Sequence, residues 1–183
     1  MRWLSVDPAT HCSGLALWDG DRLVDTGVVK SIAQSERRRI EWRLPRPVDS
    51  WVSRFTSPAA AWDSIIATNR IAAIVFEHSF SPTPKSTAAV AFMRGQIAAV
   101  AALRGARFEG INTSTWRKCT AEAWGCSWTS AREEDRLKAL SQSLVREHFG
   151  VDVTGDEADA VLVGFAALRM RIIDLAGPRG VRA

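Results

Sequence analysis

The stretch Ile71 to Phe76 is apolar at every position and ends in a carboxylate, Glu77. A strand with no polar side has to be covered on both faces, which gives it a central place in a sheet. Its flanks supply the cover. Ser57 to Asn69 reads as a helix with Pro58 well placed in its first turn. Residues 86–104, STAAVAFMRGQIAAVAALR, read as a long alanine-rich helix whose small side chains permit close packing against another helix.

The N-terminal region reads differently. Arg2 to Val6 and Ser13 to Trp18 are strands, Asp19-Gly20 is a hairpin signal, and Arg22 to Val29 is a third strand. Together they make an antiparallel meander. Residues 30–52 are rich in arginine, carry two prolines near their end and read as a partly irregular insert. The simplest role for those charges is a solvated surface loop. A sharper one is a basic, aromatic flap beside nucleic acid, formed by Arg37, Arg38, Arg39, Trp42 and Arg43.

Further on, Arg107 to Ile111 is a short strand and a helix opens at Ser114 or Thr115. Ser130-x-x-Glu133 forms a capping box for a helix over 131–148, ended by Gly150. A last helix runs from about Asp156 to about Asp174. A meander followed by strand–helix units predicts an α/β fold, a mixed five-stranded sheet with helices on both faces. The ribonuclease H-like fold has this order. One domain over 1–174 and a frayed tail over 175–183 are expected.

Composition narrows the class. The chain has 183 residues and no stretch of eighteen apolar residues, so no membrane span is expected. Asp7 arrives before any long apolar region, which argues against a secretory signal. Cys12, Cys119 and Cys126 form no C-x-x-C pair and imply reduced thiols in a cytoplasmic setting. A net charge of +4 is compatible with a polyanionic partner. His11, His78 and His148 are too scattered for a zinc site; His78 should face away from Glu77 across the strand.

Several acidic residues stand where a core prefers none. Asp7 ends the first strand, Glu77 ends the fourth, and Asp156 and Asp159 open the last helix three residues apart, on one face. Glu157 falls off that face. If the two strands are neighbours, their ends meet at one sheet edge and the helix can lay its two aspartates across it. Four carboxylates so gathered repel one another unless protons or cations neutralise them. An all-oxygen set suits Mg²⁺ or Mn²⁺, and two such ions about 4 Å apart can activate water and stabilise the leaving oxygen of a phosphodiester. Each residue also has an ordinary reading. Asp7-Pro8 can begin a turn, Asp156 and Asp159 can serve the helix dipole, Thr154-x-x-Glu157 can be the cap, and Glu77-His78 can be an exposed strand end.

The chain resembles the RuvC family of Holliday junction resolvases, especially its phage-type branch. That family opens with a strand, then Asp-Pro-Gly, three variable residues and Thr-Gly; Asp7-Pro8-Ala9-Thr10-His11-Cys12-Ser13-Gly14 keeps the spacing. A strand ending in Glu is matched by IVFEHSF, and a helix start D-x-x-D-A by Asp156 to Ala160. The motifs lie in family order across nearly the whole chain. Ala9 replaces the usual glycine, and the stretch from Lys118 to Lys138 is longer than usual, with Trp124 and Trp128 inserted.

The resemblance implies a homodimeric, Mg²⁺-dependent endodeoxyribonuclease that resolves four-way DNA junctions by paired cuts leaving 5′-phosphates. Asp7, Glu77, Asp156 and Asp159 would bind two Mg²⁺ ions, with Mn²⁺ as a substitute, and Lys118 and Lys138 would hold the scissile phosphate. Arg37, Arg38, Arg39, Arg43, Arg117 and Lys118 would contact DNA. The 86–104 helix would form the dimer contact, with Phe92 and Met93 packing. Three alternatives remain at this level: a broader fork or flap nuclease of the same fold, an actin-like ATPase, for which DPATHCSG lacks the glycine-rich phosphate loops, and a junction-binding protein without catalysis.

Overall fold

The computed structural model describes residues 1–9, 12–34, 37–43, 53–55, 58–78, 84–129 and 134–173. Seven strands and five helices follow in the order β1 (Arg2–Asp7), β2 (Cys12–Asp19), β3 (Arg22–Gln34), β4 (Arg37–Arg43), β5 (Ser53–Phe55), α1 (Pro58–Asn69), β6 (Ala73–His78), α2 (Pro84–Leu103), β7 (Arg107–Asn112), α3 (Thr113–Trp124), α4 (Glu134–Phe149) and α5 (Gly155–Arg169) among these described residues. They build one mixed sheet in the order β5-β4-β3-β2-β1-β6-β7. The expected five-stranded core, β3-β2-β1-β6-β7, is present. β1 is antiparallel to β2 and parallel to β6, and β6 is parallel to β7.

Period-two alternation sorts the side chains of the two central strands. Leu4 and Val6 of β1 join Ile74 and Phe76 of β6 in a core beneath α1 and α2, with Trp62, Ile65, Ile66 and Ile97. Trp3, Ala73 and Val75 face the other way, into a core with α3, α4 and α5 that includes Trp116, Val145, Val161 and Leu162. Trp3 stacks on Trp18 with ring centroids 5.3 Å apart. The Trp18 indole N–H donates to Ser5 Oγ at 2.8 Å, which explains how a fully buried serine is tolerated at mid-strand.

Two expectations are corrected. Within the 30–52 segment, residues 30–34 and 37–43 are strand and not irregular: β3 runs on to Gln34 and pairs antiparallel with β4, from Val28↔Arg43 to Gln34↔Arg37, while 35–36 and 44–52 lie outside the described residues. The arginine-rich sequence hid the strand, because local composition carries no sign of the ladder hydrogen bonds that a long neighbouring strand offers. Arg37, Arg38, Arg39 and Arg43 therefore sit on an extended ribbon opposite Gln34, Ala33, Ile32 and Val28. The last helix ends at Arg169, not Asp174. Ile172 N–H returns to Ala167 O at 2.9 Å and Arg171 N–H to Leu168 O at 3.0 Å, with Arg171 at φ 55°. This is a Schellman stop made without glycine, and it lets Ile173 turn back into the core. The Ser130–Glu133 box, His11 and the 175–183 tail lie outside the described residues.

Candidate active site

β1 and β6 run in parallel register from Trp3↔Ala73 to Val6↔Phe76. One step further along each strand stand Asp7 and Glu77. Both continue the odd-numbered side of their strands, the side covered by α5. Strand alternation alone thus aims the two carboxylates at the helix that carries Asp156 and Asp159. His78 lies with Phe76 on the opposite side, their rings 6.0 Å apart.

α5 starts where it does because Thr154 caps it. Thr154 Oγ1 accepts from the Glu157 backbone N–H, and Glu157 Oε2 accepts from the Thr154 N–H at 2.8 Å. Glu157 Oε1 also accepts from Thr26 Oγ1 at 3.2 Å. Glu157 is thereby occupied by the cap and by β3, which leaves Asp156 and Asp159 to face the strand ends. Their approach depends on a glycine: a Cβ at Gly14 would overlap the Asp156 carbonyl group and lie 2.9 Å from the Glu157 nitrogen. Gly14 is also the strand partner of Asp7. The first turn of α5 therefore rests directly on the backbone beside Asp7.

A single ammonium ties the cluster together. Lys138 Nζ, from α4, is hydrogen-bonded to Asp156 Oδ1 and lies 3.3 Å from Asp159 Oδ2 and 3.9 Å from Asp7 Oδ2. Its aliphatic stem runs over Gly155, where a Cβ would be 3.0 Å from Lys138 Cβ and closer still to Cδ. Ser141 Oγ, one turn along α4, donates to Asp159 Oδ1 at 2.5 Å. Thr113 Oγ1, at the start of α3, donates to Glu77 Oε1.

The electrostatics show a deficit of positive charge. Burial, reinforced by the charges of Glu77 and Asp159, pushes the Asp7 carboxyl well above the usual range, and Lys138 offsets only part of this. Glu77 is raised by burial in spite of the Thr113 hydrogen bond. Asp159 is raised by burial in spite of Ser141 and Lys138. Burial alone would lower the Lys138 pKa, but the bond to Asp156 and the charges of Asp159 and Asp7 outweigh it and raise it.

The structure thus brings Asp7, Glu77, Asp156, Asp159 and Lys138 to one place. Lys118 is elsewhere: it is 77% exposed and its ion pair is with Glu122, at 3.8 Å. Arg117 lies against the rings of Trp116 and Trp128. Met93 packs partly against the α1/α2 core, whereas Phe92 is 68% exposed. His148 stacks on Trp124 at 4.0 Å. Sequence reasoning missed Thr113 and Ser141. Ser141 had a signal, a polar residue on the buried 141/144/145 stripe of an amphipathic helix. Thr113 had none, since its place beside Glu77 comes from the parallel pairing of β6 with β7.

Among the described residues no three His, Cys, Asp or Glu side chains are closed tightly enough to make a ready metal site. The donor chemistry nevertheless fits a hard divalent cation. All four acids are oxygen donors, three are raised by burial, and the cation paired with Asp7, Asp156 and Asp159 is a lysine.

Comparison with solved structures places this architecture. Two structures of RuvC from Thermus thermophilus, one of them in complex with Holliday junction substrate, each align with a TM-score of 0.55 at 16% identity, over 94% of this chain and 96% of that one. The fold is that of RuvC. No protein-family description matches the sequence, and no curated protein does. The likeness to RuvC is therefore one of backbone architecture, an α/β ribonuclease H-like sheet with helices on both faces. Among the described residues no helix is long and apolar enough to cross a membrane.

Proposed function

We propose that this protein is a divalent-metal-dependent endonuclease that resolves four-way DNA junctions. The observation that carries the reading is the gathering of Asp7, Asp156 and Asp159 around the ammonium of Lys138, with Glu77 on the neighbouring parallel strand close enough to act on Asp7. The RuvC fold supports it, as does the order of the acidic motifs along the chain.

In this reading Asp7, Glu77, Asp156 and Asp159 hold two Mg²⁺ ions, or Mn²⁺ in their place. Bound there, they would supply activation of water and charge stabilisation at the phosphodiester being cut. The protein's own groups do the rest. Thr113 fixes Glu77 and Ser141 fixes Asp159, so that the carboxylates keep their aim when the site is filled. Lys138 balances the acids while the site is empty of metal and turns to the scissile phosphate when divalent cations replace it as counter-ion. The products are 5′-phosphate nicks. Opposed cuts require two copies of the chain, and α2, with Phe92 exposed, is the proposed contact between them. The ribbon of β3 and β4 brings Arg37, Arg38, Arg39 and Arg43 as DNA contacts.

The test is cleavage of a mobile four-way junction with Mg²⁺ or Mn²⁺, beside flap, fork and duplex substrates, by the parent and by Glu77→Gln. The parent should nick the junction in opposed strands, and Glu77→Gln should bind it without cutting. Equal cutting of flaps and forks would make the protein a broader branched-DNA nuclease. No cutting of any branched DNA would overturn the reading.

A further inference from the structure

Arg117 stands on α3 four residues after Thr113, the residue that holds Glu77. Its guanidinium carbon lies 5.2 Å from the ring centroid of Trp116 and 5.2 Å from that of Trp128. Those two indoles meet edge to face at 5.1 Å and 86°, which makes a corner in which a planar cation fits. The corner is itself braced. Trp116 is fully buried. The Trp128 indole N–H donates to Thr120 Oγ1 at 3.1 Å, and Thr120 Oγ1 donates to the carbonyl oxygen of Arg117 at 2.9 Å. Arg117 is thus held at both ends, by its own backbone and by the rings around its head.

The Nε of Arg117 is buried and meets no hydrogen-bond acceptor among the described residues. A buried charged donor left without an acceptor is costly and calls for an explanation, of which an incoming anion is one. Arg117 is one helical turn from Thr113, which holds Glu77, and its charge is near enough to lower both Glu77 and Asp159.

We propose that Arg117, clamped between Trp116 and Trp128, is the receptor for a non-bridging phosphate oxygen at the cutting site. It is a guanidinium where a lysine, Lys118, is expected from the sequence. The inference rests on the nuclease reading and adds the group that docks the phosphodiester. A planar guanidinium offers two N–H groups to one phosphate, and stacking restricts its conformational freedom before DNA arrives. Trp128 lies beyond the end of α3, and its hydrogen bond back to Thr120 is what closes the clamp.

The experiment compares Arg117→Met, Arg117→Lys, Trp128→Ala and Trp128→Phe with the parent on whichever branched substrate the parent cuts. Arg117→Met should lose about 100-fold in kcat/KM. Arg117→Lys should recover only part of that, because a lysine keeps the charge without the stacked fork. Trp128→Ala should lose about 10-fold and Trp128→Phe should stay within about twofold, which separates clamping from mere core packing. In a Glu77→Gln background, where no strand is cut, Arg117→Met should flatten the dependence of log K on log salt by about one phosphate contact. Parental cleavage by Arg117→Met, or an unchanged salt slope, would overturn the proposal while leaving the nuclease reading intact. An inactive parent would overturn both.

Discussion

Gly14 lies against the backbone carbonyl of Asp156, so close that any side chain at position 14 would overlap it. This contact sets the distance between the strand that ends in Asp7 and the helix that carries the other two aspartates. Gly14→Ala should therefore lift the start of α5. Overpacking of this kind costs about 1–3 kcal/mol, readable as a lower midpoint in urea. The loss of cleavage should exceed what that destabilisation explains, because Asp156 and Asp159 move as a pair.

Lys138 is the cation that Asp7, Asp156 and Asp159 share. Lys138→Met should destabilise the metal-free protein by about 2 kcal/mol, less than a fully buried pair would cost because the ammonium is partly exposed. Thermal melts with and without Mg²⁺ check this. The Mg²⁺-induced rise in Tm should be larger in Lys138→Met than in the parent, since the acids then lack their internal counter-ion. An equal rise would mean that Lys138 and the metal do not share the acids.

Thr113 donates to Glu77 and Ser141 to Asp159, each from an element outside the strands and helix that carry the acids. Thr113→Val and Ser141→Ala should keep the fold and weaken divalent-ion binding about 10–100-fold each. Titration with Mn²⁺ is the measurement. Unchanged affinity in both would show that the carboxylates need no holding.

On the far side of the sheet, Arg104, just past the end of α2, donates through Nε and Nη2 to the two oxygens of Asp63 on α1, at 2.7 and 2.6 Å. The hydrogen bonds hold the Asp63 carboxyl below its ordinary value. A lowered carboxylate stabilises the fold above its unfolded pKa of about 3.9, and loses that contribution as pH falls through the lower folded value. Asp63→Asn should therefore lower Tm slightly at pH 7 and leave it unchanged near pH 2. A difference that persists at pH 2 would show that the pair acts through packing.

Much of this arrangement is legible in the residues. Asp7 and Glu77 end apolar strands, and a charge in that place has to be satisfied by something specific. The helical spacing of Asp156 and Asp159 puts them on one side, and the cap at Thr154 removes Glu157 from contention. The β3–β4 ribbon is not legible, because pairing between strands decides the structure of a segment whose composition reads as loop. Nor is the choice between Lys118 and Lys138. Both lie on amphipathic helices, and only the packing of α4 on α5 turns one inward. The clearance at Gly14 and Gly155 is likewise a fact of which backbones touch, and a glycine in a sequence does not name its neighbour.

Glu77 and Asp7 come from the first half of the chain, but their partners arrive only with Lys138 on α4 and the pair on α5. During synthesis the acidic edge and the sheet face that carries Trp3, Ala73 and Val75 stay uncovered until α4 and α5 emerge. No part-made chain carries the complete set until residues 155–169 have left the ribosome and docked. The candidate site is complete only once its last helix is in place, and on the nuclease reading this order would spare nearby DNA from unfinished copies of the chain.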